Sequence, residues 1–491
     1  MKRILLLALI VGVLILAILS VVVSRRKTSS QRELINYKAK LISQGEKLSW
    51  EEFGYPRAAE SNDCLPRLNQ VVGLLTNRDF SPRMIKLMDL TSATNLQPCW
   101  AKDRLFLTDK DQPELSWKEF QVEMEFARVA LANIRFALSN PPSFCMTDPT
   151  NFALRPQFQF VDQRIAAQWL SADVVFALRQ QNLERARENL WALRQLIHLH
   201  ENDLTLSSQM IRVAIASLAL SDTWEALQSL EWSESELAEL QHGWERINLF
   251  SNLERGLLGE RLFLNAAFQQ VRTSRKAASR LEYVALAPSG GVNPMRKGFR
   301  HYWQVLVVLP IWRSNMDADE LLALRHDQNC LDSARSLNQG IAWPTVDREL
   351  DGYFKSLDTA LSGPMGGIRY ALSAVALPNA KRAVLNAVRN ETLRRLVVVA
   401  IALKRYQLQN HCLPPTLEAL FPNFISALPS DPMSGKSLCY RVDSDSGFVL
   451  YSVGEDGVDD GGQARSVTPA SGSEIWYWKD WVWPTTTLTN Q

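Results

Sequence analysis

The sequence predicts a mainly α-helical protein that carries a membrane helix at its start and a small α+β unit at its end. Three observations predict it. Ile4 to Val23 is an uncharged, almost wholly aliphatic run. From about residue 30 to 378, apolar residues recur at the helical spacings of three and four. Near the end, Ser437–Val442 and Gly447–Val453 read as two strands joined by the turn Asp443-Ser444-Asp445-Ser446.

A chain of 491 residues is too long for one compact core. The pattern divides it into an anchor with basic flanks (1–27), a helical body (28–378), an α+β domain (379–484) and a short tail (485–491). Net charge is +2, from 54 basic and 52 acidic residues, so no bulk field favours nucleic acid as a partner. The 6 cysteines lie far apart and none forms a CxxC pair, which argues against zinc and thioredoxin-like sites. Disulfides and buried free thiols both stay open.

The run from Ile4 to Val23 has 20 residues. At ~1.5 Å per residue it spans about 30 Å, the thickness of a bilayer's hydrocarbon core. Lys2 and Arg3 precede it, and Arg25, Arg26 and Lys27 follow. It reads as an uncleaved single-pass anchor in a cytoplasmic membrane, with a removed signal peptide as the alternative. The basic residues after the span, taken alone, would keep the body in the cytoplasm.

In the body, Ser116 and Glu119 form a capping box. Trp117, Phe120, Met124, Ala127, Leu131, Ile134 and Leu138 then line one helix face, and Asn140-Pro141-Pro142 stops it. Ile165, Trp169, Ala172 and Phe176 mark the next helix. Gln180-Gln181-Asn182 turns the chain, and Leu183, Ala186, Leu190, Leu193 and Ile197 mark its antiparallel mate. Residues 177–186 faintly resemble a tetratricopeptide helix pair, but no copy follows at that repeat's period, about 34 residues. Further helices are expected over Leu204–Leu230, after the capping box Ser233–Glu236, and over Ser251–Tyr283. The result is a stack of helical hairpins, solenoid-like in outline.

His198, His200, Glu201 and Asp203 form no metal site on a regular helix, because residues two apart point in different directions. GxSxG, HExxH, P-loop and dinucleotide fingerprints are absent, so no enzyme is predicted. The apolar run Val305–Trp312 is too short to span a bilayer; it reads as a core helix, with contact at a membrane surface as the alternative.

A long helix is expected from Asn379 to Gln409, apolar on one side over Leu393–Tyr406, followed by a short helix Leu417–Phe421 capped by Thr416. Here several motifs occur in order: Lys404-Arg405-Tyr406, Leu413-Pro414-Pro415-Thr416-Leu417, Leu428-Pro429-Ser430-Asp431-Pro432, and Phe448-Val449-Leu450-Tyr451-Ser452-Val453-Gly454-Glu455-Asp456-Gly457. Together they make the last hundred or so residues resemble the globular domain of the major pseudopilin of type II secretion. That resemblance implies a long helix packed on a small antiparallel sheet, with a calcium ion bracing the loop after it. It points to Asp456 as first ligand, then Asp459 and Asp460, with Glu474 more remote. It also implies an extracytoplasmic, periplasmic body and protein partners in the cell envelope. The amino-terminal apolar run lacks the family's Gly-Phe processing site and its Glu, so the domain reads as a reused module.

The residues themselves are compatible with an ion. Gly454, Gly457, Gly461 and Gly462 permit positive φ, so carbonyls can fold inward around a Ca2+ that takes about six to eight oxygens. An acidic solvated turn is the alternative. Trp476, Trp478, Trp481 and Trp483 either pack on the domain's helix or form a ligand platform. The sequence thus predicts a membrane-anchored structural or interaction protein with a calcium-braced terminal module. The alternative is a glycan- or peptide-binding module using the terminal tryptophans.

Overall fold

The computed structural model describes residues 27–53, 64–76, 104–105, 115–141, 160–199, 201–227, 232–273, 309–363, 365–377, 380–443, 447–462 and 479–483. The chain begins with helix α1 (27–43), α2 (Trp50–Phe53) and α3 (Cys64–Leu75). A short pair β1 (Arg104–Leu105) and β2 (Leu115–Ser116) precedes α4 (Trp117–Ala137), α5 (Phe160–Arg179), α6 (Leu183–His198) and α7 (Leu206–Ala226). Then come α8 (Glu234–Glu245), α9 (Leu249–Thr273), α10 (Leu309–Asn338), α11 (Trp343–Ser362) and the short α12 (Gly366–Arg369) and α13 (Ala371–Ala376). The chain closes with α14 (Ala380–Asn410), a 3-10 turn (Leu417–Leu420) and strands β3 (Cys439–Val442), β4 (Phe448–Ser452) and β5 (Trp481–Val482). It is a mainly helical protein with a small antiparallel sheet of order β3-β4-β5.

Local chemistry sets the ends of several helices. The Ser116 backbone N–H donates to Glu119 Oε2 at 2.8 Å, and the Glu119 N–H donates back to Ser116 Oγ at 3.3 Å. Ser233 and Glu236 repeat this at α8. Gln181 takes a left-handed φ of 56° in the tight turn that makes α5 and α6 an αα-hairpin.

Two helices depart from the expected one-sided pattern. Every residue from Ala166 to Ala177 of α5 is buried, as is every residue from Leu396 to Leu403 of α14. The physical reason is position. Helix α5 is enclosed by α3, α4, α6 and α7, while α14 lies across α7, α8 and α9 and carries β4 on another side. One continuous core joins Leu68, Phe120, Trp169 and Trp244 to Ile401 and Leu450, and so runs across residue 378. A second holds Phe268, Trp312, Leu357 and Leu372. Trp312 is therefore a core residue, and its Nε1 donates to buried Asp319 at 2.7 Å.

The expectation of a single-pass membrane protein is corrected here. Residues 4–23 lie outside the described residues, and among the described ones no helix is long and apolar enough to cross a membrane. Even the apolar run of α14 is interrupted on both sides, by Arg394 and Arg395 before it and Lys404 and Arg405 after it. Of the cysteines, Cys330, Cys412 and Cys439 are free, and burial pushes the Cys64 thiol up to about 11. Cys99 and Cys145 lie outside the described residues.

The Asp431-Pro432 turn ties the sheet to the body. Asp431 is fully buried, and its carboxylate accepts from Met433 N at 2.9 Å, Ser452 Oγ at 2.7 Å and Val453 N at 3.2 Å. The Pro432 carbonyl accepts from the Trp343 N–H at 2.9 Å, at the start of α11. Asp431→Ala would strand two backbone donors and a hydroxyl in the interior, and is expected to cost about 3 kcal/mol. The denaturant midpoint should fall with the slope m unchanged.

Candidate functional site

The acidic loop after β4 has the glycine geometry expected of it. Gly454, Gly457, Gly461 and Gly462 all adopt left-handed φ. At Gly457 a side chain would meet Pro344 of α11, with an added Cβ 2.8 Å from its Cγ. Its carboxylates, however, are engaged by the protein. Asp456 Oδ1 accepts from Val458 N at 3.0 Å. Asp459 Oδ1 accepts from Tyr451 Oη at 2.9 Å and Gly461 N at 2.8 Å. Burial, then the bond to Asp459, pushes the Tyr451 phenol well above its ordinary range. Asp460 pairs with Lys479 at 2.8 Å, and buried Asp480 accepts from Gly462 N at 2.8 Å. Among the described residues no group of three or more His, Cys, Asp or Glu side chains is placed to hold a metal ion. Asp456, Asp459 and Asp460 thus each accept at least one donor or ammonium from the protein itself. Glu474 lies outside the described residues.

The tryptophan expectation divides. Trp476 and Trp478 lie outside the described residues. Trp481 and Trp483 are buried, and Trp483 packs edge-on against Trp224 of α7 at 6.5 Å. Pairing of β5 with β4 and the Trp483 N–H to Leu450 O bond (2.7 Å) turn these two rings into the core, so they are not a surface platform. His198 likewise serves locally, with Nδ1 3.0 Å from Glu201 Oε2; His200 lies outside the described residues.

A different feature draws reactive groups together: a groove of about 460 Å3 between α6 and α8. That volume falls in the range of small-ligand sites, about 300–1,000 Å3. On α6, Glu184, Arg187, Trp191 and Arg194 recur at intervals of three or four, so they share one face, beside the core stripe. Helix α8 contributes Glu236, Glu239 and Leu240, and Arg135 at the end of α4 closes one side. Trp232, just before α8, is buried and donates from Nε1 to Ala226 O at 2.6 Å.

The three arginines differ in what they have left to give. Arg135 is bound to Asn189 (2.7 Å), Asp173 (3.5 Å) and Glu188 (3.3 Å). Arg187 is paired with Glu236. Arg194 is only 8% exposed and makes a single hydrogen bond among the described residues, from Nη1 to Leu240 O at 3.2 Å. Burial lowers its pKa, and Glu239 partly opposes the shift. Gly243 of α8 makes room for it, since a Cβ there would lie 2.3 Å from Arg194 Nη1.

No protein-family model, curated protein or solved structure matches this chain. Those comparisons lend the pseudopilin resemblance no support, and the groove has to be read from its own chemistry. Sequence reasoning assigned the core stripe of α6 and missed the face beside it. The available signal was Trp191, a large aromatic standing off that stripe between two arginines.

Proposed function

We propose that this protein is a non-catalytic binding protein and that the α6–α8 groove is its ligand site. The observation that carries this is Arg194: a nearly buried guanidinium, lining a groove, with N–H donors to spare. An unpaired buried cation is costly, and a bound anion relieves that cost.

In this reading the carboxy-terminal α+β unit is a buttress. Arg405 of α14 holds Glu234 at 2.6 Å, Arg394 donates to Trp244 O at 2.9 Å, and Gln241 donates to Phe424 O at 2.6 Å. These contacts fix α8, and with it one wall of the groove. Lys404, whose ammonium meets Leu227 O, has its pKa brought down by burial to about 8.

The test is a thermal-shift screen against peptides and glycans. Arg194→Met leaves the pairs of Arg135 and Arg187 in place and is expected to weaken the best ligand at least tenfold, about 1.4 kcal/mol. Arg128→Met, at a side chain 66% exposed on α4, is the control and should bind as the parent does. Equal shifts in both variants would refute the site.

A further inference from the structure

We infer that the groove takes a peptide bearing a free terminal carboxylate, with Arg194 holding that carboxylate and Trp191 and Trp232 receiving an apolar last side chain. This rests on the reading of the groove as a ligand site and adds the class of ligand. A guanidinium presents parallel N–H donors that match the two oxygens of a carboxylate. Arg194 has spent one such donor on Leu240 O, and burial sharpens its need for a counter-charge.

The lining excludes a more highly charged anion. Three arginines stand against four glutamates, 3 − 4 = −1, so the groove is weakly acidic as a whole. A phosphate dianion would meet repulsion from Glu184 and Glu239, which form no ion pair among the described residues. A singly charged carboxylate attached to peptide N–H donors suits the same surroundings, since those donors can face the glutamates. The apolar share of the lining, Leu190 and Leu240 beside the two tryptophans, suits a hydrophobic terminal residue. The volume of about 460 Å3 exceeds what one amino acid fills, so the ligand is a chain end and not a free amino acid.

Gly243 supplies a sharp test. An added methyl group meets the far end of the Arg194 side chain, which can swing away, and not backbone. Gly243→Ala thus unseats the guanidinium without changing charge, while alanine favours the helix. The probe is an equimolar pool of tripeptides ending in leucine, phenylalanine, methionine or valine, offered as free acids and as amides. Saturation-transfer NMR on the full chain reads binding, with free leucine as a further arm. Transfer to the free acids is expected, at least tenfold weaker for the amides and for free leucine. It should be lost in Gly243→Ala and Arg194→Met, with the melting temperature of Gly243→Ala no lower than the parent's. Equal binding of acids and amides, or of free leucine and tripeptides, overturns the ligand class while leaving a binding groove. Undiminished binding by Gly243→Ala overturns the role of Arg194. No transfer to any probe overturns the ligand class; if the peptide and glycan screen is blank as well, the binding reading falls with it.

Discussion

Gly259→Ala is expected to destabilise the fold by about 3 kcal/mol or more. A Cβ at this position of α9 would lie 1.7 Å from the carbonyl oxygen of Leu204 and 2.5 Å from its carbonyl carbon. Those are backbone atoms, so no side chain can rotate to make space. The neighbourhood is also pinned: Leu206 N donates to Glu260 Oε1 at 3.0 Å, and Asn252 Nδ2 donates to Glu201 O at 3.1 Å. Helix α9 therefore cannot withdraw from segment 201–206 without breaking several bonds. Gly73→Ala on α3 is the matched control, because nothing lies within 4 Å of its Cβ position. There alanine should stabilise by up to about 1 kcal/mol through helix propensity alone. Urea denaturation of the two variants separates close approach from propensity.

Glu225→Met is expected to stabilise the protein by about 2 kcal/mol at pH 8. Glu225 is buried, and neither of its carboxyl oxygens has a hydrogen-bond partner among the described residues. Asp222, one turn earlier on α7, keeps one bond, from Ser171 Oγ at 2.9 Å, and leaves Oδ2 without one. Burial first, and then the neighbouring Asp222, pushes the Glu225 carboxyl well above its usual range; burial does the same for Asp222. The folded chain thus holds these protons more tightly than the unfolded chain. Their contribution is complete below the ordinary carboxylate range, and stability falls as pH rises from there toward the folded values. Methionine removes the Glu225 share of that fall. Denaturation midpoints at pH 5 and pH 8 should lie closer together in the variant than in the parent. An unchanged gap would show that Glu225 does not titrate with folding.

Much of the helical architecture was legible in the sequence because its causes are local. The Ser116 and Ser233 capping boxes, the tight turn at Gln181 and the left-handed glycines at 454, 457, 461 and 462 depend on a few neighbouring residues. So did the α5–α6 hairpin and the pairing of β3 with β4. The acidic loop was recognisable as a loop, but not the partners of its carboxylates, since Tyr451 and Lys479 approach from outside it. The groove was invisible for the same reason. Arg194 and Gly243 stand far apart in the chain, and neither looks unusual alone.

The sequence by itself determined which segments are helix, turn and strand, through periodicity, caps and glycine φ. Only the tertiary structure decided which faces became interior. It enclosed the middle turns of α5 and α14, buried Trp481 and Trp483, and left Arg194 in a groove with donors unspent. Secondary structure is set over a span of a few residues, whereas burial and hydrogen-bond satisfaction depend on what packs against a side chain from elsewhere in the fold.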